Sequence, residues 1–289
     1  MLPVISIIFP IFFIVLCGYI YACFEKPDMQ VINRMILQLL VPALVFSVMS
    51  SKDFEIAIYS KLALAGVGVI LASGLAAYFV AKLCHFQWKT LVPPMMFRNW
   101  GNLGIPLIVF AFGEQALNAA VILFLVGNVV HFSIGVILMS GRFNVREFFQ
   151  TPVIIAMLLG LLVNIADIQM PVFLLRPLDM IGQAAIPLML VSLGVRLQHV
   201  RWSDLSMAFV GAVLGPIIGL TIAFVLASLL GMSDLQTKQI MIFGALPPAV
   251  VNYMFAERYN LEPEKVASIV LLSNLVSIGV YFVLLYFII

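Results

Sequence analysis

Long apolar stretches recur along the whole chain, separated by short breaks that carry charges, Pro or Gly. They fall at residues 4–23, 31–49, 61–82, 91–112, 117–140, 152–170, 175–195, 205–230, 236–256 and 264–288. About 20 apolar residues in a helix cross a bilayer core of roughly 30 Å, and a helix satisfies its own backbone in lipid. Strand-like alternation is not seen over these lengths. The sequence therefore predicts an all-α integral membrane protein with ten transmembrane helices.

Composition excludes several function classes. The 289 residues are 64% apolar and 10% charged, whereas soluble domains average roughly 45–50% apolar and about 25% charged. Ten spans leave no room for a soluble nucleotide-hydrolysing domain, and no Gly-Lys-Ser/Thr step of a phosphate loop occurs. With a net charge of only +2, the basic residues serve as topology signals. The lipid bilayer is an expected partner and nucleic acid is not.

Loop cations predict the orientation. Counted from the N-terminus, the odd-numbered loops carry ten of them: Lys26, Arg34, Lys82, Lys89, Arg142, Arg146, Arg196, Arg201, Arg258 and Lys265. The even-numbered loops carry four: Lys52, Lys61, Arg176 and Lys238. By the positive-inside rule, the odd loops face the cytoplasm and both termini are extracytoplasmic.

The two halves of the chain share an internal pattern. A shift of 145 residues places the Val41-Pro42 to Ser47 stretch on Ile186-Pro187 to Ser192, and a shift of 146 places Asn128 on Asn274. This predicts a first five-helix repeat at 1–148 and a second at 149–289. Because five is odd, the second repeat is inverted in the bilayer, an arrangement that secondary transporters use.

Prolines interrupt two spans in related positions of these repeats. Pro106 in the fourth span, and Pro247 and Pro248 in the ninth, each lack an N–H and clash with the carbonyl four residues earlier. Both helices are expected to break near mid-membrane, with Asn102 and Asn252 beside the breaks. Paired broken spans indicate a transport site, and the positive ends of half-helices favour an anion. The alternative is a pair of packing kinks.

Three further side chains within spans are candidate site residues. Arg98 lies about 12 Å beyond Thr90 along the helix, and an intramembrane Arg suits a carboxylate ligand, although it can also extend toward the interface. Asn128 is expected either to bind substrate or to form an interhelical hydrogen bond. His131 titrates near neutrality and is a candidate proton site, or a packing residue.

All 13 acidic residues fall in loops or at span ends, so no buried carboxylate pair is available for proton antiport. No H-E-x-x-H or G-x-S-x-G motif occurs. An enzyme, a metal site and a cofactor are therefore not expected.

Three motifs carry a family resemblance. They are Gly101-Asn102-Leu103-Gly104-Ile105-Pro106-Leu107, Val191-Ser192-Leu193-Gly194 and Leu246-Pro247-Pro248-Ala249-Val250-Val251-Asn252. These motifs resemble signatures of the auxin efflux carrier family in its fourth, seventh and ninth spans. The short connection between spans 5 and 6 is similar to the prokaryotic branch, which implies a bacterial-type inner membrane location.

The resemblance implies the crossover fold shared with sodium/proton antiporters and bile-acid symporters. In that fold, spans 1, 2, 6 and 7 form a scaffold domain, and spans 3 to 5 and 8 to 10 form a transport domain. Asn102 matches the asparagine that meets a substrate carboxylate, with Gly101 and Gly104 in the same motif. Pro106 and Pro247 match the crossover prolines, and Asn128 matches an amide that lines the pocket.

The leading functional hypothesis is a secondary permease for a small organic anion. Bacterial relatives of this kind are associated with dicarboxylates such as malonate and malate. The alternatives are a sodium-coupled symporter of the same fold and a membrane sensor without flux. The coupling ion, sodium or proton, stays open, and a homodimer is compatible with the sequence.

Overall fold

The structure, a computed structural model, describes residues 2–25, 27–51, 56–196 and 205–289. Seven helices in these ranges are long and apolar enough to cross a membrane. They are Val4–Glu25, Val31–Ser50, Ala57–Leu83, Glu114–Ser140, Val172–Val195, Leu205–Leu229 and Pro263–Ile288. Three of the loop cations that predict the orientation, Lys26, Lys52 and Arg201, lie outside the described residues. The chain is thus an all-helical, multi-pass membrane protein over the part that is described.

The other three predicted spans are shorter or broken helices. Stretch 152–170 is a helix only over Pro152–Ile165, and stretches 91–112 and 236–256 each contain two helices separated by a non-helical segment. In chain order the helices are α1 (Leu2–Glu25), α2 (29–50), α3 (Ile56–Leu83), α4a (Trp88–Met96), α4b (Trp100–Phe112), α5 (Glu114–Ser140), α6 (Pro152–Ile165), α7 (Val172–Gln183 and Ala185–Arg196), α8 (Leu205–Leu229), α9a (Asp234–Ala245), α9b (Val251–Arg258) and α10 (Pro263–Ile288).

The two broken helices meet at their breaks. Arg98 and Pro248 form an antiparallel β-bridge, the one isolated bridge in the described ranges. The Asn99 N–H donates to the Pro247 carbonyl at 2.8 Å, and the Ala249 N–H donates to the Phe97 carbonyl at 3.1 Å. Each break thereby supplies hydrogen-bond partners to the other, as non-helical backbone at membrane depth requires. We call this paired segment, 97–99 with 247–249, the crossing.

The position of the first break corrects the sequence expectation. The proline pattern predicts a break at Pro106, but the helix is interrupted at 97–99, and Pro106 lies in the first turn of the regular part of α4b, Ile105–Phe112. A π-helical turn, Trp100–Gly104, precedes Pro106. The wider turn accommodates the missing N–H and the bulk of the ring without a break. In the ninth span the break does include Pro247 and Pro248.

The helices pack as two groups. The small group contains α1, α2, α6 and α7, with α1 against the second half of α7, and α2 against α6 and the first half of α7. The large group contains α3, α4a, α4b, α5, α8, α9a, α9b and α10, with α8 against α3, α9a and α10. Contacts between the groups are sparser and run mainly from α1, α2 and α7 to α4b, α5 and α10.

Glycine pairs allow the closest helix contacts within each group. Gly18 of α1 lies against the Val191 carbonyl of α7, and Gly194 of α7 lies against the Val15 carbonyl of α1. In the large group, Gly219 of α8 and Gly244 of α9a face each other. Close backbone approach through small residues is the usual way in which membrane helices associate, and it fixes the framework around the crossing.

Candidate transport site at the crossing

A cavity of about 100 Å³ lies beside the crossing, where α2 meets α4b, α5 and α9b. It is bordered on one side by the small group and on the other by the large group. Its polar lining consists of Asn33, Arg98, Asn99, Asn102, Asn128 and His131. No acidic side chain lines this cavity within the described chain. The volume is below the roughly 300–1,000 Å³ of drug-sized pockets, so a small ligand is favoured.

Each of the three π-helical turns in the described chain contributes to this cavity. They are Ile36–Leu40 in α2, Trp100–Gly104 in α4b and His131–Gly135 in α5. Two of them are followed by a proline in the next turn, Pro42 and Pro106. Such turns occur frequently at functional sites because they shift side chains out of helical register. Three different helices are therefore distorted at the same place.

Two helices begin at the cavity. Asn99, Trp100 and Gly101 line it at the start of α4b, and Val250 and Val251 line it at the start of α9b. The N–H groups of Trp100 and Asn252 at these starts already donate to the carbonyls of Arg98 and Ala249, but the positive end of each helix dipole still favours anions. Converging helix starts without an acidic side chain make the cavity suitable for an anion.

Asn102 and Asn128 both line the cavity, but they differ in how many amide N–H groups are free to bind a ligand. Asn102 is half-buried and makes no side-chain hydrogen bond within the described chain. The Asn128 amide nitrogen donates to the Phe124 carbonyl at 2.7 Å, within its own helix. Asn102 therefore offers both amide N–H donors and its oxygen to a ligand, while Asn128 offers one N–H and its oxygen.

Asn252 belongs to the crossing and not to the cavity wall, and its predicted role in substrate binding stays a prediction. Its amide nitrogen donates to the Phe97 carbonyl at 2.7 Å and to the Ala249 carbonyl at 2.9 Å. The residue is 1% exposed and is absent from the cavity lining. Its donors satisfy carbonyl groups that the broken helices leave without helical partners, so it fastens one break to the other.

Arg98 borders the cavity, but its guanidinium is engaged behind the crossing. Nη1 donates to the Leu246 carbonyl at 2.9 Å and Nη2 donates to the Gly215 carbonyl at 2.9 Å, while Nε has no partner. Leu246 directly follows the last residue of α9a, where a cation stabilises the negative end of the helix dipole. Arg98 thus contributes positive potential to the region, its terminal nitrogens donate to backbone carbonyls, and contact with substrate stays a prediction.

His131 is packed among aromatic rings. Its imidazole stacks on Phe97 with ring centroids 4.1 Å apart and an interplanar angle of 4°, and Phe255 meets it edge-on at 5.2 Å. The ring is buried and Nε2 has no hydrogen-bond partner. The packing role that the sequence left open is therefore realised in the structure, and proton transfer stays a prediction.

The two motif glycines differ in position. Gly101 lines the cavity, where a Cβ atom would lie 3.0 Å from Phe124. Gly104 lies outside the lining and lets α4b approach Leu246, which a Cβ atom would meet at 3.0 Å. One glycine shapes the cavity and the other shapes the contact with the crossing.

Sequence reasoning missed three polar residues of this region. Asn33 of α2 lines the cavity and accepts a hydrogen bond at 2.8 Å from Ser192 of α7. Asn99 is buried with an unpartnered amide nitrogen at the cavity wall. Ser192 carried a signal, its recurrence with Ser47 in the repeat. Nothing in the sequence singled out Asn33 or Asn99. Each stands next to an arginine in an otherwise unremarkable stretch.

A wider opening of about 540 Å³ lies elsewhere, where α2 and α7 of the small group come together. Its polar lining includes Ser47, Ser50, Arg176 and Asp179. It lies within one helix group, and no helix break or π turn borders it. The cavity beside the crossing is bordered by both helix groups, by the helix breaks and by the π turns, and it is the better candidate site.

A family model described as membrane transport protein matches residues 3–144 and again residues 141–285. The chain belongs to this family. The resemblance to the auxin efflux carrier family is thereby confirmed.

Individual relatives extend over nearly the full chain. An uncharacterized transporter of Methanocaldococcus jannaschii is 22% identical over 297 residues, covering 96% of each chain. A Rhizobium meliloti protein named "Putative malonate transporter" is 23% identical over 315 residues, covering 100% of this chain and 97% of its own. An uncharacterized transporter of Methanothermobacter thermautotrophicus is 26% identical over 287 residues, with 92% of each chain covered.

The family and these relatives are transporters and not enzymes. The protein is accordingly a membrane transporter, and a small molecule is its substrate.

Proposed function

We propose that the protein is a secondary permease for a small organic anion, and specifically for a dicarboxylate such as malonate or malate. The observation that carries this proposal is the cavity at the crossing, which lies between two helix groups and is lined by amides and helix starts. The name of the Rhizobium meliloti relative supports malonate as the first substrate to test.

Charge at the cavity supports an anion over a cation. Two helix starts face it, the Arg98 guanidinium lies just behind it, and no carboxylate is among its described lining residues. A buried charge without a counter-charge is costly, even where it donates to backbone carbonyls. A negatively charged substrate lowers this cost, whereas a cation raises it.

The mechanism is alternating access by movement of the large group against the small group. In this proposal the large group is the transport domain, the small group is the scaffold domain, and the whole chain has the crossover fold with ten spans. The halves 1–148 and 149–289 are the inverted repeats. Sparse contacts between the groups support such movement, because few contacts must be exchanged. The same proposal has the protein in a bacterial-type inner membrane with both termini extracytoplasmic, and a homodimer is compatible with it.

The uptake experiment separates this function from its alternatives. Purified full-length protein in liposomes preloaded with malonate is expected to take up labelled malonate by exchange, with or without a sodium gradient. Uptake that requires a sodium gradient would identify a symporter. Saturable malonate binding without any exchange would identify a sensor. Liposomes with the Asn102→Ala variant are the negative control, and those with Asn118→Ala are the matched control, because Asn118 lies in α5 away from the cavity and makes no side-chain hydrogen bond in the described chain.

A further inference from the structure

The amides around the crossing differ in which donors are already used. The amide nitrogens of Asn128 and Asn252 donate to backbone carbonyls. Asn102 and Asn33 line the cavity without any such bond from their amide nitrogens in the described chain. A carboxylate accepts hydrogen bonds and donates none. Asn102 and Asn33 therefore have both amide N–H donors free for it. Asn99 also has an unpartnered amide nitrogen, but it lies in the crossing itself, and Asn128 keeps one N–H.

Ser192 fixes the orientation of Asn33. Its hydroxyl is fully buried, at 0% exposure, and donates to Asn33 Oδ1 at 2.8 Å. An amide whose oxygen is held in this way directs its NH₂ group away from the serine. Both residues belong to the small group, Asn33 in α2 and Ser192 in α7. The pair therefore stays intact when the groups move relative to each other.

Asn102 and Asn33 belong to different helix groups. Asn102 is in α4b of the large group, and Asn33 is in α2 of the small group, three residues before the π turn that begins at Ile36. Because both line one cavity of about 100 Å³, a short ligand with an acceptor at each end can contact both. A ligand with a single carboxylate engages only one of them fully.

We infer that Asn33 binds the second carboxylate of a dicarboxylate substrate, opposite Asn102, and that Ser192 is its positioning residue. This inference rests on the proposed function and adds a reason for selectivity. The substrate itself connects the small group to the large group, so a diacid is preferred over a monoacid of the same length. Asn33 is thus a specificity-determining residue on the wall opposite the crossing.

The test compares affinities for malonate and propionate, measured by displacement of labelled malonate from the purified full-length protein at pH 7.5. Loss of one hydrogen bond between an amide and a carboxylate, at a site that excludes water, weakens binding by about tenfold or more. Asn33→Ala is expected to weaken malonate binding by about that factor and propionate binding less than threefold, so that selectivity falls. Asn118→Ala is the matched control with unchanged affinities.

Asn33→Asp provides a second test that keeps the bond from Ser192. The carboxylate oxygen still accepts from the serine hydroxyl, but the NH₂ donor is replaced by a negatively charged oxygen. Because Coulomb repulsion scales with ligand charge, malonate binding is expected to fall more than propionate binding. This variant keeps the inference testable if Asn33→Ala fails to fold.

Ser192→Ala tests the positioning role. It is expected to lower malonate selectivity in the same direction as Asn33→Ala, and the double variant is expected to be no worse than Asn33→Ala alone. Ser50→Ala is the control, because Ser50 carries a buried hydroxyl in α2 and lies outside the cavity.

Three results would overturn the inference. They are equal losses of affinity for malonate and propionate in the Asn33 variants, unchanged selectivity, and additive effects of the Asn33 and Ser192 variants. In each case intact malonate exchange by the wild type would leave the proposed function standing. Absence of malonate exchange in the wild type would instead reject the proposed function.

Discussion

Side-chain amides near the crossing serve two purposes. The Asn252 amide nitrogen donates to the Phe97 and Ala249 carbonyls. These bonds replace helical hydrogen bonds that the break removes. Asn102, two residues after the start of α4b, has no such partner in the described chain. Substitution of the first amide is expected to affect stability, and substitution of the second is expected to affect ligand binding.

Asn102→Ala is predicted to weaken malonate binding while the protein still folds. Removal of one hydrogen bond to a charged group costs about 1.5–3 kcal/mol, which corresponds to about 10-fold to 150-fold in dissociation constant. Isothermal titration on purified protein measures the change, with Asn118→Ala as the control. An unchanged dissociation constant for malonate would show that the Asn102 amide only packs.

Arg98→Gln is predicted to destabilise the protein. The guanidinium holds the carbonyls of Leu246 and Gly215, and leaving a buried acceptor unsatisfied costs about 1–3 kcal/mol. Arg98→Lys is expected to restore part of this stability, because an ammonium group lacks the planar fork that reaches two acceptors. Thermal unfolding in detergent measures both variants. The exposed Arg142→Gln serves as the control, and an Arg98→Gln midpoint equal to that of wild type would contradict the capping role.

At the scale of helices, proline has two different outcomes in this chain. The π turn Trp100–Gly104 accommodates Pro106, so the helix continues. Pro247 and Pro248 lie in an extended segment, and the Pro247 carbonyl accepts from the Asn99 N–H of the other break. The difference follows from partners in space, because a break within a membrane persists only where another segment satisfies its backbone.

The approach of α8 to α9a depends on glycine at one position and tolerates alanine one turn earlier. A Cβ atom on Gly219 would overlap the Gly244 carbonyl oxygen, whereas a Cβ atom on Gly215 meets no atom within 4 Å. Gly219→Ala is therefore predicted to lower stability by about 1–3 kcal/mol or more through overpacking. Gly215→Ala is predicted to be neutral or stabilising by up to about 1 kcal/mol, because alanine favours the helix. Unfolding in detergent compares the pair, and equal midpoints would contradict the close contact.

At the scale of the whole molecule, packing divides the helices into two groups that do not follow chain order. The small group takes α1 and α2 from the first half and α6 and α7 from the second. The candidate site lies where the groups face each other, and each contributes part of its lining. A substrate bound there contacts both groups, which is the requirement for coupling its movement to theirs.

The orientation of the whole chain is predicted from the ten-to-four distribution of loop cations. A cysteine at Arg142, in an otherwise cysteine-free background, is expected to resist a membrane-impermeant thiol reagent added to intact cells. A cysteine at Gln169, exposed beyond the end of α6, is expected to react. Reaction at Arg142 without reaction at Gln169 would invert the topology.

The sequence by itself determined the membrane class and the helical structure, because apolar runs of this length have no other stable state in lipid. Its motifs also indicated the family and the region around Asn102. Only the tertiary structure decided that the first break lies at 97–99, that Asn252 and Arg98 hold backbone carbonyls, and that Asn33 joins the cavity. These outcomes depend on which distant segment supplies a hydrogen-bond partner or the opposite wall. Local periodicity and proline chemistry carry no information about that choice.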